Sequence, residues 1–203
     1  MDARLLLQGM MIGLSIAAPV GPINLLCIRR IIADGRMVGF ASGLGAAVAD
    51  ATYGAVAAFG LTAVSGLLVS GQSWLRVVGG LFLLYLGAQT FLAKPSGPAE
   101  ARDARHLLGA FASTYVLTLT NPLTILSFAA IFTGLGVVRG DGGYASASLL
   151  VLGVALGSML WWAFLCITVG AVRERVTPGA LRWVNRVSGC VIAGFGVVAL
   201  CIN

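Results

Sequence analysis

The sequence predicts an all-α membrane protein with six transmembrane helices, arranged as two inverted three-helix repeats. Three observations carry that expectation. The 203 residues are 59% hydrophobic and only 10% charged, with a mean hydropathy of +0.97. The apolar residues gather into runs that reach the roughly 17–25 helical residues needed to cross a hydrocarbon core. The two halves of the chain also repeat a set of glycines, prolines and aromatics at a nearly constant offset.

The expected spans are about 5–28, 38–60, 74–93, 107–133, 145–170 and 183–202. The first holds Ala18-Pro19-Val20-Gly21-Pro22-Ile23-Asn24. Each proline there removes a backbone donor and clashes with the carbonyl four residues back, so this helix should break. The run is too long for the apolar core of a signal peptide, and no cleavable signal is expected. In the second span Gly39, Gly43, Ala47, Ala51 and Ala55 recur every four residues. Such a stripe lets helices approach closely in lipid. Ser42, Ala46, Asp50 and Gly54 form the adjacent stripe.

Between Arg36 and Arg76 lie 39 residues whose only charge is Asp50. That is too long for one helix, and Gly66 with Ser70-Gly71-Gln72-Ser73 supplies the turn signals that divide the second span from the third. Trp74 and Trp183 open the third and sixth spans, as interface anchors do. The polar segment 94–106, from Lys94-Pro95-Ser96-Gly97-Pro98 to His106, links the halves. The fourth span carries a second interruption, Thr118-Leu119-Thr120-Asn121-Pro122-Leu123-Thr124, and the fifth carries Trp161-Trp162 near its middle. Those tryptophans could stack on a cation; packing or lipid contact is the plainer reading.

Arg76-x-x-Gly79 recurs as Arg186-x-x-Gly189, and the same offset of 110 takes Gly43 to Gly153 and Tyr85 to Phe195. Near the start of each half the offset is 100, with Gly21-Pro22 meeting Asn121-Pro122 and Leu26 meeting Leu126. An odd number of spans per half makes the halves inverted, the sequence mark of many secondary transporters. The expected organisation is one transporter domain over 1–203, with repeat one at 5–93, the linker at 94–106 and repeat two at 107–203.

Charge sets the orientation. Arg4, Arg76 and Arg139 fall on one side; Arg29, Arg30, Arg36, Lys94, Arg102, Arg105, Arg173, Arg175, Arg182 and Arg186 fall on the other. The positive-inside rule places the larger set in the cytoplasm and both termini outside. The net charge of +6 is therefore a topology signal. Nucleic acid is not an expected partner, because the basic residues are scattered over short loops.

Asp50 is the candidate that bears most on function. It stands near the midpoint of 38–60, a run of 23 residues with no other charged residue. A carboxylate at the bilayer centre costs about 2.5–3.5 kcal/mol on insertion scales, so it marks a functional site by default. No Lys, Arg or His lies centrally in another span. Asp50 is expected to take a proton, or a cation from outside the protein. Freed backbone at a helix break must be buried in protein or line a cavity, and paired breaks point to a transport site. Pro19, Gly21, Pro22 and Pro122 are the break residues. Asn24, Asn121, Thr120 and Thr124 stand beside them, either contacting a polar substrate or satisfying freed carbonyls.

Cys27, Cys166, Cys190 and Cys201 lack C-x-x-C spacing, and His106 has no companion ligands. No nucleophile triad or metal-protease pattern is found, so no enzyme, metal site or cofactor is expected. Self-association is left open.

The stretch from Ala18 to Asn24, followed by Arg29-Arg30 and Gly35, resembles the first-helix signature of the LysE/RhtB amino-acid exporters. Gly43-Leu44-Gly45 through Asp50 is similar to that family's second helix, and Asn121-Pro122 to its fourth-helix motif. The likeness extends along essentially the whole chain. One departure is Val20, which separates Pro19 from Gly21 where many members have a contiguous Pro-Gly-Pro. The resemblance implies export of amino acids from the bacterial cytoplasm through the inner membrane, driven by the proton gradient. Relatives of the family that move metal ions keep a divalent-metal exporter as an alternative, and a thiol-redox carrier is a third.

Overall fold

The computed structural model describes residues 2–19, 21–59, 72–93, 104–121, 124–125, 127–128 and 144–201. Those residues are helical and form no strand. They make α1 (Asp2–Ala17), α2 (Pro22–Asp34), α3 (Arg36–Ala58), α4 (Gln72–Leu92), α5 (Ala104–Leu119), α6 (Tyr144–Val172) and α7 (Pro178–Cys201), with a 3-10 turn at Arg173–Arg175. Val20, Gly66, Ser70-Gly71, the 94–103 part of the linker, Pro122 and the last residues of the expected fourth span lie outside the described residues.

The helices α6 and α7 are each long and apolar enough to cross a membrane, with mean hydropathies of 2.2 and 1.7 over their best stretches. Ala3–Ala17 and Pro22–Asp34 qualify together, as one pair bent by 82°. The first expected span is thus two helices rather than one. At 23 residues α3 is long enough, but Gly, Ala and Ser dilute its hydropathy. Those residues meet other helices instead of lipid. A Cβ on Gly45 would strike the Phe111 carbonyl of α5, and one on Gly43 would strike the Trp162 side chain of α6.

Packing follows the small residues. The helix α1 lies along α6, α4 lies along α7, and α3 packs against both α5 and α6. A side chain on Gly9 or Gly13 would run into α6 backbone at Leu150 or Val154, and one on Gly153 or Gly157 into α1 backbone at Leu6 or Met10. Gly87 and Gly189 face each other in the same way across α4 and α7, as do Gly80 and Gly196. Lipid is as apolar as the side chains, so close van der Waals contact drives this association.

Gly35 joins α2 to α3 at φ 104°, in the region that favours glycine, and its N–H donates to Arg30 O at 3.0 Å. A side chain there would force the two helices to separate differently. Several basic segments meet at this end of the bundle. Arg29 Nε donates to Asn185 Oδ1 at 3.1 Å, Asn185 Nδ2 to Ala93 O at 3.1 Å, and Arg173 Nε to Ile32 O at 3.0 Å.

The core has two clusters. One gathers Leu26, Cys27, Ala46, Ala47, Leu117, Trp162 and Ile192. The other gathers Ile12, Tyr53, Phe128 and Val154. Asp50 lies on the part of α3 between Ala47 and Tyr53, so the carboxylate is set where the clusters adjoin.

Candidate functional site

Prolines cut the first span, and the chain repairs the cut with a side chain. Helix α1 ends at Ala17, and Pro22 opens α2 in its first turn, where a missing N–H costs nothing. The carbonyls left over are satisfied by Asn24. Its Nδ2 donates to Ala17 O at 3.0 Å and to Pro19 O at 2.9 Å. Its Oδ1 accepts from Trp161 Nε1 at 2.9 Å. Every side-chain polar atom of Asn24 is thereby engaged.

The second break is built alike. Helix α5 ends at Leu119, and helical bonding resumes where Ile125 N donates to Asn121 O at 3.2 Å. The Tyr53 hydroxyl of α3 donates to the Leu119 carbonyl at the end of α5. A buried carbonyl without a donor would cost about 1–3 kcal/mol, so Asn24 and Tyr53 do the same job at matching places.

A cavity of about 60 Å³ lies where the breaks meet. Pro19, Gly21, Pro22 and Asn24 line it from the first break; Asn121 and Thr124 line it from the second. Asp50, Thr118, Ser127 and Trp162 complete its polar and aromatic walls. Room of that size takes a few waters. The structure thus brings together Pro19, Gly21, Pro22, Asn24, Asp50, Asn121 and Thr124. Thr120 is not among them: it packs against Gly79 of α4, and its hydroxyl donates back to Val116 O at 2.9 Å.

Asp50 is 3% exposed. Its Oδ2 accepts from Ser158 Oγ at 2.7 Å, and the same Ser158 oxygen accepts from Trp162 Nε1 at 3.2 Å. The indole fixes the hydroxyl, and the hydroxyl meets the carboxylate. Among the described residues no Lys, Arg or His forms an ion pair with Asp50; the pair that occurs is Arg29 with Asp34 at 3.2 Å. The side chain of Arg76, the one basic group the sequence offers as a rival partner, lies outside the described residues.

The sequence reading passed over Ser158 and Tyr53 as site residues, and weighed Trp161-Trp162 as a cation platform behind packing or lipid contact. One signal was there to be used: Ser158 is the sole hydroxyl in α6 between Ser148 and Thr168, at the depth where Asp50 needs a partner. Cys27 and Cys166 share the first core cluster as free thiols, while Cys190 and Cys201 are exposed.

Residues 14–202 match the family model described as LysE type translocator. The chain belongs to this family. It is therefore a membrane transporter rather than an enzyme, of a kind found in bacterial membranes. This LysE-type translocator is 29% identical over 198 residues to a Bacillus subtilis (strain 168) protein named "Putative amino acid efflux protein YcgF", covering 95% of this chain and 93% of that one. It is 28% identical over 175 residues to the Escherichia coli (strain K12) membrane protein YahN, covering 84% and 77%. It is 27% identical over 205 residues to the Pseudomonas aeruginosa chemotactic transduction protein ChpE, covering 97% of each. No solved structure matches it.

Proposed function

We propose that this translocator is a secondary exporter of amino acids or related small amines across the bacterial inner membrane, working by exchange for protons. Asp50 is the group that alternates between a proton and the ammonium of the substrate. One observation carries the reading: a single buried carboxylate faces a cavity shared by both helix breaks, with no protein cation paired to it among the described residues. The efflux role in the printed name of YcgF supports the same class of cargo. A divalent cation would want several carboxylate, imidazole or thiolate ligands, and Asp50 is the one such group among the residues lining the cavity.

The proposed frame is one transporter domain of six spans in two inverted halves, with both termini outside. Helix pairing supports it. Exchanging the first three spans for the last three turns the α1–α6 contact into the α5–α3 contact, and leaves α3–α6 and α4–α7 as they are. The gathering of Arg29, Asn185, Ala93 and Arg173 at one end fits a common cytoplasmic face. A proton arriving from outside neutralises Asp50 and releases the ammonium; proton loss to the cytoplasm restores its attraction. The small cavity is then a closed state between loading and release.

Asp50→Asn tests the coupling. Asn is nearly isosteric and imitates the protonated acid, so the variant is expected to insert and stay folded while gradient-driven export in proteoliposomes is abolished. Wild-type export by a stable Asp50→Asn carrier would refute the role assigned to Asp50. If Arg76 bends inward as an ion-pair partner, the single variant instead loses stability, and Arg76→Gln added to it restores the fold.

A further inference from the structure

The two breaks are repaired from different places, and the difference leaves one side chain idle. At the offset of 100 that pairs Gly21-Pro22 with Asn121-Pro122, Asn24 corresponds to Thr124. Asn24 spends its polar atoms on Ala17 O, Pro19 O and Trp161 Nε1. At the second break the repairing donor comes from α3, as the Tyr53 hydroxyl. Thr124 is thereby released from that duty. It is 8% exposed, lines the central cavity and makes no hydrogen bond among the described residues. The other polar side chains of the same wall are engaged. Thr118 donates to Thr114 O, Asp50 and Trp162 share Ser158, and Asn121 and Ser127 have partners of their own. A buried hydroxyl without a partner is destabilising, so the partner that suits Thr124 is one that enters the cavity.

The start of α2 opens on the same space, through Gly21, Pro22, Ile23 and Asn24. Pro22 has no N–H. The first backbone donor to find an acceptor within the helix is Leu25 N, on Gly21 O at 3.1 Å. The N–H groups of Ile23 and Asn24 therefore belong to the unsatisfied first turn, and no side chain caps them, because the N-cap is Gly21. The helix behind them is 13 residues long, and its dipole sets a partial positive charge at this end. Backbone N–H groups and dipole together favour an anion there.

We infer that the Thr124 hydroxyl and the free N–H groups at the start of α2 form an anion subsite in the central cavity, which holds the carboxylate of the exported solute while Asp50 holds its ammonium. This rests on the exporter reading above and adds the residues that fix the other end of the solute. In an α-amino acid both charged groups are attached to one carbon, so one small cavity can meet the two together. The device also spares Asp50. Peptide dipoles supply the positive pole without a guanidinium or ammonium group in the cavity wall, so no protein cation there competes with the solute for the carboxylate.

The test uses the full-length protein in liposomes, with exchange measured for each common L-amino acid and for its C-terminal amide. The pH is kept below neutral, where both carry the ammonium. The parent should carry at least one acid, and its amide less well. Thr124→Val keeps the shape of the side chain and removes the hydroxyl. It should raise KM for that acid by about tenfold, the loss of a hydrogen bond to a charged group, and leave KM for the amide within about twofold. Thr124→Ser should restore KM for the acid. Thr168→Val, which takes an exposed hydroxyl from Phe164 O, should alter neither substrate. Melting gives an independent readout. Because the hydroxyl has no partner in the empty protein, Thr124→Val should melt no lower than the parent, while the stabilisation that the added acid gives the parent should shrink. An unchanged KM for the acid in Thr124→Val would overturn the inference. So would an equal rise for acid and amide, since the helix end would then serve Asp50 alone. A lower melting temperature without the acid would overturn it too, by giving the hydroxyl a structural duty. Absence of exchange for every amino acid in the parent would overturn the exporter reading itself, and this one with it.

Discussion

Ser158 donates to Asp50 at 2.7 Å across the contact between α3 and α6. Both residues are buried, at 0% and 3% exposure. Because Ser158 also accepts from Trp162 Nε1, its proton is aimed at the carboxylate and its lone pair at the indole. Ser158→Ala strips a donor from Asp50 and an acceptor from Trp162 at once. The expected loss is about 1–3 kcal/mol of stability, the cost of leaving buried polar groups unpaired. Thermal unfolding in detergent measures it, and the export rate should fall without vanishing. Unchanged melting and unchanged export in Ser158→Ala would remove the pair from both stability and function.

The α1–α6 contact allows a test with its own control. A Cβ added at Gly157 would meet the Met10 carbonyl and Cα, and backbone cannot swing aside. Gly157→Ala should therefore push α1 away from α6 and destabilise the protein by about 1–3 kcal/mol, as overpacking does. A Cβ at Gly194 of α7 would meet nothing within 4 Å. Gly194→Ala should stay within about 1 kcal/mol of the parent, the size of the helix-propensity difference alone. Melting temperatures of the two variants side by side decide it; equal effects would sink the account of close packing.

Asp50 and the two breaks were legible in the sequence because each is exceptional in its setting. A lone carboxylate in an apolar run and prolines inside a span have few ordinary explanations. Nothing comparable marks Ser158, Tyr53 or Trp161, which are unremarkable inside membrane helices until their partners are known. Partners depend on how far each helix is rotated about its axis, and period alone does not fix that rotation. The repeat offset shows the limit: it pairs Asp50 with Leu160, which is 55% exposed, while Ser158, two residues earlier, reaches the carboxylate. Thr120 shows it from the other side. Its place beside the break made it a candidate, but its side of the helix faces Gly79. The span 38–60 was legible as α3 (Arg36–Ala58) from its length without charges other than Asp50, although its small residues, which a helix surrounded by helices needs, lower its hydropathy.

Arg30 should tolerate no substitute. Its two terminal nitrogens reach four oxygens on α3 and α5, a spread that a lysine ammonium cannot cover from one point. Arg30→Lys keeps the charge and should still lose about 1–3 kcal/mol, because Ser113 and its neighbours are left short of a donor. Arg29→Lys can keep its ion pair with Asp34, which is partly exposed and worth at most about 1 kcal/mol, and gives up one bond, from Nε to Asn185 Oδ1, so it should lose less than Arg30→Lys. The ordering of the two melting temperatures is the readout. Equal melting of Arg30→Lys and the parent would mean that the fork contributes nothing.

Asn24 and Trp161 decide between backbone repair and substrate contact. Asn24 spends its amide hydrogens on the Ala17 and Pro19 carbonyls and its oxygen on Trp161. That leaves it no polar group to offer a substrate in this state, so the expected role is to hold the broken first span in its bend. Asn24→Ala should then lower stability by about 1–3 kcal/mol, cut the amount of active carrier, and leave KM for exchanged substrates unchanged in the molecules that remain folded. Trp161→Phe removes the indole N–H together with part of the ring packed on the first core cluster, and leaves Asn24 Oδ1 without its donor. Combined, the two substitutions should be less than additive, with a coupling of about 0.5–3 kcal/mol, as residues sharing one hydrogen bond show. Thermal unfolding of the four proteins gives that coupling, and exchange kinetics give KM. A stable Asn24→Ala carrier with a raised KM would reverse the assignment and move Asn24 to the substrate.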